Sequence, residues 1–198
     1  MNKPNPKLSQ LSDEELIQRF QEGDLYAFDL IVHRYKDALF NFTYRYLGSS
    51  QEAEDVVQET FLRIFRNRFA YRQIAKFSTW IYTIAGNLAK TELRKRKRRR
   101  LVYTSDLGYD DKEFEIEDTK ADTERDVDSL LTEKHIQDAI NKLPERFRKV
   151  ILLVDVQELS YEEVSKIMHV PLGTVKSRVN RARLKLQGML QDVFDGQR

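Results

Sequence analysis

Ser160-Tyr-Glu-Glu-Val-Ser-Lys-Ile-Met-His-Val-Pro-Leu-Gly-Thr-Val-Lys-Ser-Arg-Val-Asn-Arg-Ala-Arg183 contains two helical patterns separated by a short break. Ser160 and Glu163 form an S-x-x-E capping box ahead of Val164 and Ile167, so a helix starts here. It breaks at His169-Val170-Pro171, and a second helix follows whose buried stripe is Val175, Val179 and Ala182. Two short helices around a three-residue break have the form of a helix-turn-helix. The second helix turns Lys176, Ser177, Asn180 and Arg181 to one side, with Thr174 at its head and Arg178 and Arg183 flanking. Those side chains suit the major groove: Arg can grip guanine, Asn can grip adenine, and Ser can serve bases or phosphates. Gly173, in the first turn, would let backbone amides approach a phosphate. A plain helical hairpin with a solvated face is the alternative. Five bases and no acid from Thr174 to Gln187, together with the capping and spacing, favour DNA.

The rest of the chain is also helical in pattern. Leu130, Ile136, Ala139, Ile140 and Leu143 mark a helix stopped by Pro144, and Phe147, Val150, Ile151 and Val154 mark the next. Toward the N-terminus, Ser12 and Glu15 cap a short helix that Gly23 ends. From Asp24, Phe28, Ile31, Tyr35, Leu39, Phe42 and Tyr46 recur at three- and four-residue steps up to Gly48. Ser49 and Glu52 cap a third helix, whose expected buried stripe is Val57, Phe61, Ile64 and Phe65. A fourth is expected from about Ser78 to Arg98, apolar at its start and basic at its end.

Charge is sorted rather than mixed. The 198 residues carry a net +2, yet Lys90 to Arg100 is +7 and Asp106 to Asp128 is −8. The acidic stretch holds too few large apolar residues for a core and reads as a linker. The expectation is all-α: a flexible N-terminus at 1–11, helical domains at 12–100 and 130–198, and an acidic flexible linker at 101–129. With no cysteine there is no disulfide, thiolate zinc site or catalytic thiol, and His33, His135 and His169 are too far apart in sequence to suggest a ligand cluster. No catalytic residue, metal or cofactor is expected. Met1 to Gln10 is not a secretory signal and no run approaches a membrane span, so a soluble, cytoplasmic protein without membrane insertion is expected.

Leu143-Pro-Glu-Arg-Phe-Arg148, Leu159-Ser-Tyr-Glu-Glu-Val164 and Pro171-Leu-Gly-Thr-Val-Lys-Ser-Arg178 resemble the promoter-binding C-terminal domain of extracytoplasmic-function (ECF) sigma factors. Ala53-Glu-Asp-Val-Val-Gln-Glu-Thr-Phe-Leu-Arg63 and Phe77-Ser-Thr-Trp-Ile-Tyr-Thr-Ile-Ala-Gly-Asn-Leu-Ala89 resemble that family's other domain. One departure is His169, where the family usually has Gly; His tolerates the left-handed conformation better than most residues.

The resemblance implies that Asp55, Gln58, Glu59 and Arg63 dock on the clamp helices of the RNA polymerase largest subunit. It implies that Arg66 to Phe77 is the loop that captures a base of the melted promoter element. Arg66, Arg68, Phe69 and Tyr71 are its candidates, since alternating cations and rings neutralise phosphates and stack bases. Phe77 reads as core. Trp80, Asn87, Lys90 and Arg94 would line the surface that meets the melted element, with Trp80 equally able to be core. The basic run to Arg100 would touch phosphates without geometry. The implied partners are polymerase core, promoter DNA and an anti-sigma factor, and the linker is expected to thread polymerase's basic channel or to act as a mere tether. A stand-alone helix-turn-helix regulator with an N-terminal effector or dimerisation domain is the competing function, and a DNA recombinase or nuclease is a weaker one.

Overall fold

The computed structural model describes residues 10–107 and 127–195. The N-terminal stretch and most of the acidic linker, with its charge, lie outside the described residues. Among those described there are eight α-helices and no strand.

The first unit forms where the local signals place it. Helix α1, Asp13–Gln21, starts at Ser12 with both bonds of the capping box made, and buries Leu16, Ile17 and Phe20. Helix α2, Leu25–Leu47, is capped by the Asp24 carboxylate on the Tyr26 and Ala27 amides. It ends at Gly48, whose φ of 73° is left-handed backbone that glycine adopts without penalty. Helix α3, Ser50–Arg66, buries Ala53, Val56, Thr60, Phe61 and Ile64. The stripe is therefore turned slightly from the expected one: Phe65 is 40% exposed. Helix α4 spans Phe77–Leu107, past the expected boundary at 100. Lys, Arg and Leu are good helix formers, and the sequence offers no Gly or Pro stop between Gly86 and Gly108. Phe20, Ile31, Phe42, Tyr46, Ile64, Phe77 and Ile81 fill the core at 1% exposure or less. Each such side chain contributes about 1.5 to 3 kcal/mol of burial.

The second unit holds α5 (Val127–Lys142), α6 (Glu145–Ile151), α7 (Tyr161–Met168) and α8 (Leu172–Asp195). Pro144 is the N-cap of α6, as its missing N–H permits. The apolar run continues beyond α6 as a π-helical turn, Leu152–Val156, which buries Leu152 and Leu153 together. Val150, Val164, Ile167, Val175, Val179 and Ala182 complete the core.

The two units pack on each other, α7 against α4 and α5 against α2. Arg148 of α6 donates to the Tyr46 carbonyl at the end of α2 (2.9 Å) and also to the Asn141 carbonyl near the end of α5. One guanidinium thus satisfies carbonyls at the negative ends of two helices. Lys149 is 7% exposed, its tail over α4 at Gly86, where an added Cβ would stand 2.7 Å from Nζ. Tyr82 donates to the Gln157 side chain (2.5 Å).

Candidate nucleic-acid interface

The helix-turn-helix is built as its spacing implies. Both bonds of the Ser160–Glu163 box are made. His169 closes α7 at φ 53° and ψ 48°, the left-handed cap geometry, and the Val170 amide then donates to the Ser165 carbonyl (3.1 Å). The departure from glycine is accommodated in the turn rather than moved elsewhere. Helix α8 buries Val175, Val179 and Ala182, which leaves Lys176, Ser177, Asn180 and Arg181 exposed on the opposite side. Thr174 and Arg178 are half-buried at the edge of that face. The Ser177 hydroxyl donates to the Thr174 carbonyl (3.0 Å), which leaves its oxygen free to accept. Arg183 is held by both oxygens of Asp155 (3.0 and 2.6 Å), which joins α8 to the π-helical turn.

The loop between α3 and α4 divides differently from its sequence reading. A 3-10 turn, Arg68–Ala70, opens it. Arg68 lies over the rings of Phe20, Phe65 and Phe69, 4.6 to 5.9 Å from their centroids, and donates to the Phe65 carbonyl. Tyr71 is 7% exposed, packs on Phe77 and Trp80, and donates to the Ala75 carbonyl (2.8 Å). Burial pushes its phenol up to about 12. In this arrangement Arg68 and Tyr71 hold the loop, while Phe69, Arg72, Gln73, Ile74 and Lys76 face outward, Ile74 at 83% exposure. Gln73 and Ile74 were not singled out in the sequence. Their position in the short connection between the third and fourth expected helices was the available signal. Arg66 is exposed at the end of α3.

On α4, Trp80 is half-buried, one part of its ring against Tyr71 and Phe77, so it belongs to the core and to its edge at once. Asn87 and Arg94 are exposed. Lys90 pairs with Glu145 of the second unit (3.4 Å), and Ser78 donates to Glu163 (2.9 Å). Part of this helix is therefore covered by the helix-turn-helix unit.

Asp55, Gln58 and Arg63 are exposed and Glu59 half-buried on the outer side of α3, with Arg63 donating to Glu59 (2.8 Å). That bond is the chief reason the Glu59 carboxyl lies below its ordinary value. Leu62, 46% exposed, sits seven residues from Asp55 on the same stripe, an apolar member the charge pattern concealed.

Among the described residues no group of three or more His, Asp and Glu is placed to hold a metal ion, and no helix is long and apolar enough to cross a membrane.

Comparison with known proteins follows the same division. The family model "Sigma-70 region 2" matches residues 31–99, and "Sigma-70, region 4" matches residues 134–186. The chain is 37% identical over 191 residues to the RNA polymerase sigma-H factor of Pseudomonas aeruginosa, covering 94% of this chain and 98% of that one. It is 38% identical over 179 residues to the ECF RNA polymerase sigma factor SigW of Bacillus subtilis, covering 89% and 96%. Among solved structures it is similar to the sigma factor RpoE in complex with the anti-sigma factor NepR from Bartonella quintana. That likeness has a TM-score of 0.64 and 28% identity over 83% of this chain and 96% of that one.

Proposed function

The chain belongs to the extracytoplasmic-function sigma factors of the sigma-70 family, and from that membership we propose how its parts divide the work. It is a sigma factor: it binds RNA polymerase core and directs promoter-specific initiation, in a class of initiation factors that is not catalytic. The second unit, about residues 130–198, takes the upstream duplex element. Lys176, Ser177, Asn180 and Arg181 read base edges; Thr174 and Arg178 hold phosphates at the rim. Arg183 joins them only if Asp155 gives it up. The first unit, about residues 12–100, takes core through Asp55, Gln58, Glu59, Leu62 and Arg63. It takes the melted element through the outward side of the loop and through Trp80, Asn87, Lys90 and Arg94.

The recognition helix carries this reading: a core stripe on one side and, on the other, exposed side chains whose donors match base edges. Work in the cytoplasm, where core and promoter are, and without catalytic chemistry of its own, fits that role. An anti-sigma partner is part of the reading, because a similar solved structure is a sigma factor held by one. Adding the purified protein to sigma-free polymerase core tests it. Promoter-specific transcripts are expected, and their absence with active core and DNA would favour the stand-alone regulator.

A further inference from the structure

Helix α1 lies outside the residues matched by either family model, yet it touches the loop between α3 and α4 at both ends. Gln21, its last residue, donates through one amide nitrogen to the Arg68 carbonyl (2.7 Å) and the Tyr71 carbonyl (3.1 Å). Both donors of that amide are used, and both acceptors are loop backbone. Glu14, in its first turn, accepts from the Phe77 amide (2.9 Å), the first residue of α4. Seven residues of helix set these two contacts about 10 Å apart on one rigid rod. Phe20, on the same helix, lies under the Arg68 guanidinium at 5.4 Å.

Inside this frame Tyr71 ties to Ala75, and Arg72, Gln73 and Ile74 are left at the outward tip. A free loop of this length would lose backbone entropy on gripping a ligand. A loop already pinned at Arg68, Tyr71 and Phe77 loses less, and its tip residues start near their bound positions. We propose that α1 is the splint of the base-reading loop, with Gln21 and Glu14 as positioning residues that preorganise its tip for a single-stranded base. This rests on the reading above that the loop meets the melted strand.

The test uses holoenzyme assembled from core polymerase and the full chain, on a promoter that the unaltered holoenzyme transcribes. Gln21→Glu keeps shape but loses both N–H donors and sets a carboxylate against two carbonyls. Glu14→Ala removes the acceptor, and Glu14→Gln keeps one. Ile74→Ala and Arg72→Ala alter the tip itself. Open-complex formation is measured on duplex template and on one mismatched at the melted element, with core affinity measured alongside.

Gln21→Glu and Glu14→Ala are expected to lose about tenfold on duplex, the worth of one or two hydrogen bonds. They should lose much less on the mismatched template, with core affinity unchanged and Glu14→Gln near normal. Tip defects with a normal Gln21→Glu holoenzyme would overturn the splint and leave the base-reading loop standing. Tip variants that behave normally on both templates would remove the base-reading role, and the splint with it. Equal loss from Gln21→Glu on both templates, or weakened core binding, would make α1 a structural support only and overturn the proposal.

Discussion

Lys149 is a cationic side chain that packing of the two units takes out of water. Burial lowers its pKa to about 8, the nearby Lys90 adds to that, and Glu145 opposes it. The folded pKa is below the unfolded one, so protonated Lys149 weakens the fold and its loss of a proton strengthens it. Chemical denaturation from pH 8 to pH 10 should therefore show stability from this group rising with pH, by on the order of 2 kcal/mol. Lys149→Met should remove the slope, and a slope that persists in the variant would assign it elsewhere. The window closes near pH 10. Burial holds Tyr35, Tyr46 and Tyr82 above that value, so their stabilisation is lost as the pH climbs further. On the exposed side of α8 the proposed role is base recognition. Arg181→Ala and Ser177→Ala should relax the choice of particular base pairs, at about 1 to 3 kcal/mol for a lost bidentate contact. Lys185→Ala should weaken every sequence alike. Binding measured across single-base promoter variants separates the two, and a uniform loss from all three substitutions would mean that α8 holds phosphates only.

At the scale of elements, two capping boxes of the same type serve different ends. Glu15 completes the cap of α1 and points to solvent. Glu163 completes the cap of α7 with one oxygen, while the other takes the Ser78 hydroxyl and lies 3.4 Å from the Lys76 ammonium. Burial pulls the Glu163 pKa upward, but the bonds from Ser160 and Ser78 and the charge of Lys76 hold it below the ordinary value. Its contribution is present above the unfolded carboxylate pKa and lost as the pH falls through the depressed one. Glu163→Ala should cost about 1 to 2 kcal/mol in thermal or chemical denaturation. Glu15→Ala should cost less, and equal losses would deny the contact between units. The caps at Ser12, Ser49 and Ser160, the stop at Gly48 and the turn at His169 were legible because each is settled by neighbours within a few residues. The inward turn of Tyr71 was not, because Phe77 and Trp80 decide it from across the loop. Nor was the π-helical turn at Leu152, where packing of two adjacent leucines outweighs helical period. The pairing of Arg183 with Asp155 was not legible either, because the two are distant in sequence.

Across the whole molecule, a net charge of +2 conceals a basic α4 end, a basic α8 and an acidic stretch between them. Composition and period could give two helical units and their order. They could not give the packing of α7 on α4, which rests on pairs such as Ser78 with Glu163 and Tyr82 with Gln157 that no local pattern links. That packing covers part of the helix proposed to meet the melted element, at Ser78 and Lys90. Replacing Asp110, Asp111, Glu113, Glu115, Glu117 and Asp118 by Asn or Gln tests the linker. Weaker core binding with a smaller salt dependence is expected if it threads polymerase's channel, and an unchanged salt slope would leave it a tether. In the proposed division of work, this chain reads a promoter as a part of polymerase and not alone. The most direct measurement is binding of a labelled promoter duplex by the chain with and without core, at one stated physiological salt concentration. Weak, sequence-indifferent binding alone and tight, promoter-selective binding with core are predicted. Tight, sequence-specific binding by the chain without core would contradict it.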